Sequence, residues 1–382
     1  MKDQHPNGLQ KIRNGIVGVS RCISEPPFLR PSHFFPALLH SCFVSRPLFV
    51  FPLAAVVALF AAYWFFWRAP QNSLTVYCAH DAIYSESILR DFERESGIHV
   101  AIRFDTEATK SLGLVELLLA EKDAPRCDVF WNNELLGTLD LKEKSVLEPY
   151  KGSGYERIPG AFKDPEGCWT GFAARLRVYV VNKNKMAATE GPIQQALAGD
   201  LSRVAIAKPL YGTTLTHYSV LWNLWGKDRL VAWHRDWRKR GIRELNGNAA
   251  VKDAVAEGAC DLGFADTDDF FEAKDDGKPV AFLPVKLENG ATICIPNTVS
   301  IIHGTRQMEN ARKLADYLLS EKTELALARS RSRQIPLGAV AAEALPAEVR
   351  ELHQWSALGV PLTDLGKARA ECMAWLKEEE SK

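Results

Sequence analysis

The sequence has no excess of charge of either sign. Its 382 residues include 47 Lys and Arg against 47 Asp and Glu, so the formal net charge at pH 7 is zero. Proteins that bind nucleic acid carry a clustered basic excess, and the balance found here argues against a nucleic-acid partner. Charged residues make up 25% of the chain and hydrophobic residues 47%, which is typical of a globular protein.

Signature motifs of common enzymes are also absent. The sequence contains no nucleophile elbow G-x-S-x-G, no P-loop and no H-E-x-x-H zinc motif. Its Ser and His residues show no spacing that suggests a catalytic triad. We therefore expect a binding protein and not an enzyme.

No C-x-x-C spacing occurs, which argues against a zinc ribbon or a thioredoxin-type motif. In an oxidising compartment one or more pairs of the later cysteines could form disulfides, and buried thiols are the alternative. Spacing alone does not decide between the two. These later cysteines are Cys78, Cys127, Cys168, Cys260, Cys294 and Cys372.

A long charge-free run is present from Pro47 to Trp67. As a helix it would cross the hydrocarbon core of a bilayer, which is roughly 30 Å thick. Residues 1–46 carry more basic than acidic side chains, so the positive-inside rule predicts a cytoplasmic N-terminus. We expect a single-pass anchor in the inner (cytoplasmic) membrane, with the folded domain in the periplasm or outside the cell. A cleaved signal peptide is the alternative, and residues 1–46 are either a cytoplasmic or a non-native extension.

After the anchor, predicted strands alternate with predicted helices. This series predicts an α/β fold with a mostly parallel sheet covered by helices. The exported part is too long for one ordinary core and suits two lobes of about 150 residues each. Strands are predicted at Leu74–Tyr77, Ile98–Phe104, Asp128–Trp131, Arg177–Val181, Val204–Ala207, Ile242–Leu245 and Leu262–Phe264.

Polar side chains follow the carboxyl ends of several predicted strands, or lead into the helix beyond. Ligands bind at this position in open α/β sheets, so we expect one shared cleft. The groups are His80 and Asp81; Asn132, Asn133 and Glu134; Gly212, Thr213 and Thr214; and Asp266, Thr267, Asp268 and Asp269.

The run Asp266–Asp269 contains three carboxylates, which repel one another at this spacing. A hard cation would relieve the repulsion, because carboxylate oxygen is its usual partner. With His80 or Asp81 and with Glu134, the run would form a nitrogen- and oxygen-donor site for ferric or another transition ion. The alternative is that Asp266 or Asp268 caps the helix that follows.

An anion-binding site is predicted at Gly212-Thr213-Thr214, which offers backbone N–H groups and hydroxyls at a helix N-terminus. Asn248 and Thr213 each have two interpretations, an anion contact or a plain N-cap. Arg175 either holds a carboxylate or anion in the cleft or pairs with a surface acid.

Several segments occur in an order known from one family. They are Leu74–His80, Asp128–Glu134, Val146–Tyr150 and Gly258–Asp269. In this order they resemble the extracellular solute-binding proteins of ABC importers, and most of all the ferric-ion-binding periplasmic proteins. The resemblance implies a two-lobed type 2 periplasmic-binding-protein fold with a hinge of crossing strands. Lobe 1 would be residues 74–175 plus 296–350, and lobe 2 residues 176–295 plus 351–382.

The resemblance also implies which residues bind the ligand. The family's iron-binding His and Glu match His80 or Asp81, and Glu134 or Asn133. The family's adjacent pair of tyrosine ligands falls on Asp268 and Asp269, so carboxylates stand where the tyrosinates would be. The family's contacts to a synergistic anion correspond to Gly212, Thr213, Thr214 and Asn248, with Asp266 in place of a further Asn, and its Arg near the lobe crossing matches Arg175.

We therefore expect a membrane-anchored receptor that binds Fe3+ or a related metal complex, with or without a synergistic anion, and presents it to the permease of an ABC importer. A second hypothesis is a receptor for a small organic cation, thiamine-like or polyamine-like, held by the same acids and by Trp131 and Tyr211, or for a phosphonate. A third is a hydrolase or transferase that uses one of the carboxylates of residues 266–269.

Overall fold

The computed structural model describes residues 72–105 and 112–381. The predicted extension at 1–46 and the predicted anchor at 47–67 lie outside these residues. Within the described part, no helix is both long enough and apolar enough to cross a membrane.

The strands of the described part form one sheet with two halves. Their order is β2-β1-β3-β10-β5-β8-β6-β7, with β4 paired to β10 and β9 paired to β5. We call β1–β4 the first half, β6–β9 the second half, and β5 and β10 the crossing strands, because these two join the halves. The strands are β1 Ser73–Cys78, β2 His99–Phe104, β3 Val129–Asn132, β4 Leu147–Glu148, β5 Thr170–Asn182, β6 Val204–Ala207, β7 Arg243–Leu245, β8 Leu262–Asp266, β9 Val280–Pro284 and β10 Cys294–Ile302.

Helices follow most strands and cover the sheet. The α-helices are α1 Ala82–Ser96, α2 Leu112–Ala120, α3 Leu136–Glu143, α4 Ser153–Arg157, α5 Glu190–Ala198, α6 Gly212–Trp225, α7 Lys227–Lys239, α8 Gly247–Ala256, α9 Thr267–Asp275, α10 Met308–Leu318, α11 Glu321–Arg329, α12 Ala347–Ser356 and α13 Gly366–Glu380.

Strand direction differs between the halves and the centre. β1 pairs in parallel with β2 and β3, and β6 pairs in parallel with β7 and β8. The crossing strands are antiparallel to each other and to their neighbours β3, β8 and β9. The expectation of a mostly parallel sheet is therefore confirmed within each half and wrong at the centre. The reason is that the chain passes between the halves as two long strands of opposite direction.

Helix α1 shows how the apolar pattern fixes packing. Tyr84, Ile88, Leu89 and Phe92 recur at helical spacing, and all four are buried. Gly97 ends the helix with a φ of 69°, a left-handed conformation in which a side chain would be strained. The helix thus lies where its apolar face predicts.

The crossing strands bend at the level where the halves meet. Ala173 of β5 has a φ of 44°, and the register with β10 shifts between Ile295 and Asn297. The side chain of Asn297 donates to the carbonyl oxygen of Phe172 at 3.4 Å. The Ala173 N–H donates to the buried carboxylate of Glu324 at 2.9 Å. These contacts hold the bend in place.

All six cysteines of the described residues are buried, and no disulfide joins any of them. Of the two readings that the sequence left open, the structure shows buried thiols.

Candidate functional site

A cavity of about 270 Å³ lies at the carboxyl ends of strands from both halves. From the first half, residues 81–84 at the start of α1 and Asn133 after β3 line it. From the second half, the first turns of α6, α8 and α9 line it. Arg175 of crossing strand β5 also contributes. The shared cleft that the sequence predicts is therefore present.

Two glycines direct helix N-termini toward the cavity. Gly212 begins α6 with a φ of 59°, and Gly247 begins α8 with a φ of 88°. Glycine adopts this left-handed backbone without strain, and here it turns the chain sharply from strand into helix. Thr213, Thr214 and Asn248 follow on the cavity wall. Helix N-termini carry partial positive charge, so this side of the cavity can receive an anion.

The acidic run at the start of α9 forms a cluster. Side-chain oxygens of Asp266, Asp268 and Asp269 all lie within 4.8 Å of one another. Asp266 and Asp268 are buried, and Asp269 is half-buried. The three carboxylates of the run thus form a compact acidic cluster at the start of α9.

Asp266 is the centre of a charged network. Its carboxylate accepts hydrogen bonds from Arg177 Nη1 at 2.8 Å, Arg175 Nε at 3.2 Å and Asn248 Nδ2 at 3.0 Å. Burial acts to raise the pKa of Asp266, but the guanidinium groups of Arg177 and Arg175 outweigh it and hold that pKa below its ordinary value. Arg175 thus pairs with a buried acid of the cavity and not with a surface acid.

The capping interpretation of the acidic run is correct in part. Asp266 occupies the N-cap position of α9, and Asp269 Oδ2 accepts a hydrogen bond from the Asp266 N–H at 3.0 Å, which forms a capping box. Asp268 Oδ2 lies 3.7 Å from Arg175 Nε. Asn248 is not an N-cap, because α8 begins one residue before it and its side chain bonds to Thr213 and Asp266.

Acidic side chains outnumber basic ones on the described cavity wall. The acids are Asp81, Asp266, Asp268, Asp269 and Glu272, and the bases are Arg175 and Lys252. Lys252 Nζ is 3.0 Å from Glu272 Oε2, so one acid is paired locally. The remaining excess of negative charge favours a cationic ligand.

Two predicted metal ligands do not line the cavity. Glu134 turns onto the N-terminus of α3, where its carboxylate accepts from the N–H groups of Leu136 at 2.5 Å and Gly137 at 2.8 Å. His80 is buried, with its Nε2 3.2 Å from Gln334 Nε2. Where the sequence left a choice between neighbours, the structure places Asp81 and Asn133 on the wall instead.

Of the two aromatic residues predicted to contact a ligand, one lines the cavity and the other does not. Tyr211 lines the cavity. Trp131 is fully buried in the first half, with its Nε1 3.4 Å from Asn297 Oδ1, and the prediction that it contacts a ligand is wrong. Its strand is covered on both faces, so the side chain points into the core.

Sequence patterns did not reveal that Tyr84 belongs to the site. Tyr84 recurs with the apolar residues of α1 at helical spacing, yet it also lines the cavity. Its pKa is raised by burial and by the negative charges of Asp268, Glu272 and Asp81. A usable signal was its position three residues after Asp81, on the same face of the first turn.

Two buried polar atoms of cavity-lining residues lack hydrogen-bond partners within the described part of the chain. They are Arg175 Nη1, a donor, and Asn133 Oδ1, an acceptor. A buried polar atom without a partner costs roughly 1–3 kcal/mol. A ligand that carries both donor and acceptor groups would satisfy them.

A second acidic group lies outside the cavity. Side-chain atoms of Asp164, Glu166 and Cys168 also fall within 4.8 Å of one another. Lys142 Nζ is 2.5 Å from Asp164 and 3.3 Å from Glu166, so both carboxylates of this group already pair with a lysine.

Comparison with known proteins identifies relatives. Iron uptake protein A1 of Synechocystis sp. is 25% identical over 275 residues, which cover 68% of this chain and 74% of that protein. Iron-bound HitA from Pseudomonas aeruginosa has a TM-score of 0.70 at 19% identity and covers 80% of this chain and 98% of that chain. The Trichodesmium protein IdiA (FutA), solved with iron and citrate, has a TM-score of 0.63 at 19% identity over 80% and 98% of the two chains.

The structural likenesses, all below 25% identity, establish a shared α/β fold, that of the periplasmic binding proteins. The family model for bacterial extracellular solute-binding proteins matches residues 74–330, which is most of the chain. The chain therefore belongs to the bacterial extracellular solute-binding protein family, whose members are solute receptors and not enzymes.

Proposed function

We propose that this protein is the extracytoplasmic receptor of an ABC importer and that its cargo is ferric iron or a related metal complex. The cluster of Asp266, Asp268 and Asp269 carries the proposal, because its oxygens lie within 4.8 Å of one another at a cavity lined by both halves. Carboxylate oxygens are donors that suit a hard cation. The printed names of the relatives, an iron uptake protein and iron-bound HitA, support this cargo.

We assign the cation to Asp81, Asp268 and Asp269. Asp266 takes part through the arginines that it holds, since Arg175 and Arg177 already balance its charge. His80 and Glu134 are left out of this assignment because neither lines the cavity.

The cargo includes an anion as well as the metal. A cavity of about 270 Å³ is much larger than a bare ion, since a water molecule takes up roughly 30 Å³. The N-termini of α6 and α8 form a binding site for citrate or phosphate beside the metal. The residues of this site are Gly212, Thr213, Thr214 and Asn248. The Trichodesmium relative solved with iron and citrate supports this arrangement.

The two halves of the sheet act as the lobes of the receptor, with the boundaries that the sequence predicts. Bending of the crossing strands near Ala173 and Asn297 would open and close the cavity. The closed, loaded form would dock on a permease, and the helix predicted at 47–67 would hold the receptor at the membrane.

Calorimetric titration tests the cargo. Full-length protein is stripped with a chelator and titrated with ferric citrate, and its thermal unfolding is followed. At a ligand concentration of about 100 times the Kd, we expect the free energy of unfolding to rise by about 2.7 kcal/mol. Asp268→Asn should weaken binding by at least about tenfold, because it removes a charged ligand.

Glu166→Gln is the matched control, because it changes a carboxylate of the second acidic group, outside the cavity. It should bind ferric citrate as the wild type does. No heat and no thermal shift in the wild type, or equal affinity in Asp268→Asn, would show that the iron assignment is wrong.

A small organic cation or a phosphonate is the second candidate. Tyr84 and Tyr211 line the cavity beside its acids, and aromatic faces attract organic cations, while the α6 N-terminus suits a phosphonate. Thiamine, spermidine and a simple alkylphosphonate are the probes in the same thermal assay. A rise in the unfolding temperature with one of them and none with iron would reassign the cargo.

Membership of a receptor family argues against the third hypothesis, a hydrolase or transferase acting through residues 266–269.

A further inference from the structure

The segment of residues 330–338 lies against the bend of crossing strand β5. It follows α11, which packs on α1 and α10, and α10 packs on β1 and β3 of the first half. Ile335 and Ala174 exchange two backbone hydrogen bonds, of 2.7 and 2.8 Å. Asn297 Nδ2 donates to Gln334 Oε1 at 2.6 Å. The segment is therefore held to the first half at the level where the halves meet.

Arg333 extends from this segment to α9 of the second half. Its guanidinium forms a bidentate ion pair with Asp275, the last residue of α9, with Nη1–Oδ2 at 2.6 Å and Nη2–Oδ1 at 2.9 Å. The guanidinium carbon also lies 5.0 Å from the ring centre of Phe271 in the same helix. The two side chains of the pair are 19% and 26% exposed, so water screens this pair less than a pair at the open surface. We call Arg333 and Asp275 the inter-half pair.

The backbone at Arg333 has a conformation that non-glycine residues rarely adopt. Its φ is 44°, in the left-handed region, and Ala173 beside the same bend also has a φ of 44°. Such a backbone persists only where surrounding contacts hold it. For Arg333 these contacts include the bond to Asp275 and a contact of Nε with Glu348 Oε2 at 2.9 Å. The direction of the Arg333 side chain is thus fixed from several sides.

Helix α9 connects the inter-half pair to the cavity. Asp268 and Asp269 line the cavity from the first turn of α9, and Asp275 lies at its other end. A helix of this length is a stiff rod of about 13 Å, so a contact that holds one end also fixes the direction of the other. Neither Arg333 nor Asp275 is among the described residues that line the cavity.

We propose that Arg333 and Asp275 are positioning residues for the cargo. Their ion pair keeps α9, and with it the acidic cluster, in place against the first half, and so slows release of the cargo. The proposal rests on the proposed function and adds a control of release to the same site. Opening of the cavity moves α9 away from the first half and breaks the pair, so the pair favours the closed form.

Release kinetics test the proposal. Full-length protein loaded with ferric citrate is mixed with an excess of a strong chelator, and uptake of iron by the chelator is followed. We expect Asp275→Asn and Arg333→Gln each to release iron about fivefold faster than the wild type. The association rate should stay unchanged, because neither residue touches the cargo, whereas a loss of folded protein would lower only the amount that binds. The double variant should release iron no faster than the faster single variant, because both substitutions break the same pair.

Salt provides a second measurement with a matched control. Raising NaCl from roughly 0.05 M to roughly 0.5 M screens the inter-half pair and should speed release from the wild type, and Asp275→Asn should respond less. The control is Asp261→Asn. Asp261 forms a bidentate pair with Arg203 at 2.9 and 2.6 Å, and both residues belong to the second half. This variant should match the wild type in its release rate and in its response to salt.

The outcomes separate the two proposals. An unchanged release rate in Asp275→Asn, or an equal increase in Asp275→Asn and Asp261→Asn, would overturn the role of the inter-half pair and leave the iron receptor standing. Effects of Asp275→Asn and Arg333→Gln that multiply in the double variant would do the same. Absence of any ferric binding in the wild type would overturn both proposals.

Discussion

Asp266 shows how one side chain can serve the fold and the cavity together. It starts α9 at the N-cap position and holds Arg175, Arg177 and Asn248 through its carboxylate. Its acidic run is visible in the sequence, but its basic partners on β5 lie about 90 residues earlier in the chain. The sequence therefore indicates an acidic cluster without showing which carboxylate is already neutralised.

The side chains that follow a strand illustrate the same limit. The sequence predicts that residues after β1 and β3 reach one cavity, and Asp81 and Asn133 do. It does not show that Glu134 turns away to satisfy free N–H groups of α3. The direction of a side chain at a strand end depends on the helix that begins next. Asn133 therefore faces the cavity, whereas Glu134, one residue later, faces the N-terminus of α3.

His217 gives a pH-dependent prediction at this scale. Burial and the positive charge of Arg177 lower its pKa to about 3, from an ordinary value of about 6.5. Between these values the unfolded chain binds a proton that the folded chain does not, so stability falls as the pH falls. We expect this residue to account for a loss of about 2 kcal/mol between pH 7 and pH 5.

Urea unfolding of the wild type and of His217→Gln at pH 7 and at pH 5 measures this pH-dependent loss of stability. The variant should lose less stability on acidification than the wild type does, by about the 2 kcal/mol that the pKa shift implies. Equal losses in the two proteins would contradict the assigned pKa.

At the scale of elements, strands with a regular hydrophobic pattern can be predicted from the sequence. Strands that are buried on both faces lack such a pattern and are harder to delimit. Strand β6 is observed at Val204–Ala207, with the predicted bounds, and most other predicted strands lie within a few residues of their predicted positions. Crossing strand β5 runs from Thr170 to Asn182, whereas only Arg177–Val181 was predicted. Nearly every residue of β5 is buried, so no alternation marks its first part.

Helix α11 was not predicted although a signal was present. The Ser320 side chain accepts a hydrogen bond from the Thr323 N–H and caps the helix. A serine before an amphipathic stretch is a usual N-terminal signal. The carboxylate of Glu324, in the same helix, accepts hydrogen bonds from the backbone N–H groups of Ala173, Leu337 and Gly338. Only the folded chain brings these groups together.

The C-terminal helix α13 supplies a prediction about elements. It packs on α6 and reaches α3, where buried Arg369 pairs with Asp140. Asp140→Asn would leave the guanidinium buried without its anion. We expect the free energy of unfolding to fall by roughly 3 kcal/mol, measured by urea denaturation.

Arg235→Gln is the control for this helix. Arg235 pairs with Glu379 of α13, but its side chain is 53% exposed. Exposed ion pairs contribute about 0–1 kcal/mol, so the loss should stay within that range. Similar losses of unfolding free energy in Asp140→Asn and Arg235→Gln would show that the buried pair does not stabilise the packing of α13.

At the scale of the whole molecule, two halves of one sheet place different chemistry around one cavity. The first half contributes Asp81, Tyr84 and Asn133, and the second contributes the acidic cluster and the N-termini of α6 and α8. Among the strands of residues 72–105 and 112–381, only the crossing strands join the two halves of the sheet. A cation with its anion would complete contacts that neither half makes alone.

Iron content of the purified protein is the most direct measure of this account. The full-length protein is expressed in iron-rich medium, purified without chelator and analysed for metals by elemental mass spectrometry. We expect iron in equimolar amount with the wild type and little or none with the double variant Asp268→Asn, Asp269→Asn. A wild type that carries no iron, or a double variant that carries as much as the wild type, would contradict the claim that these carboxylates hold the cargo.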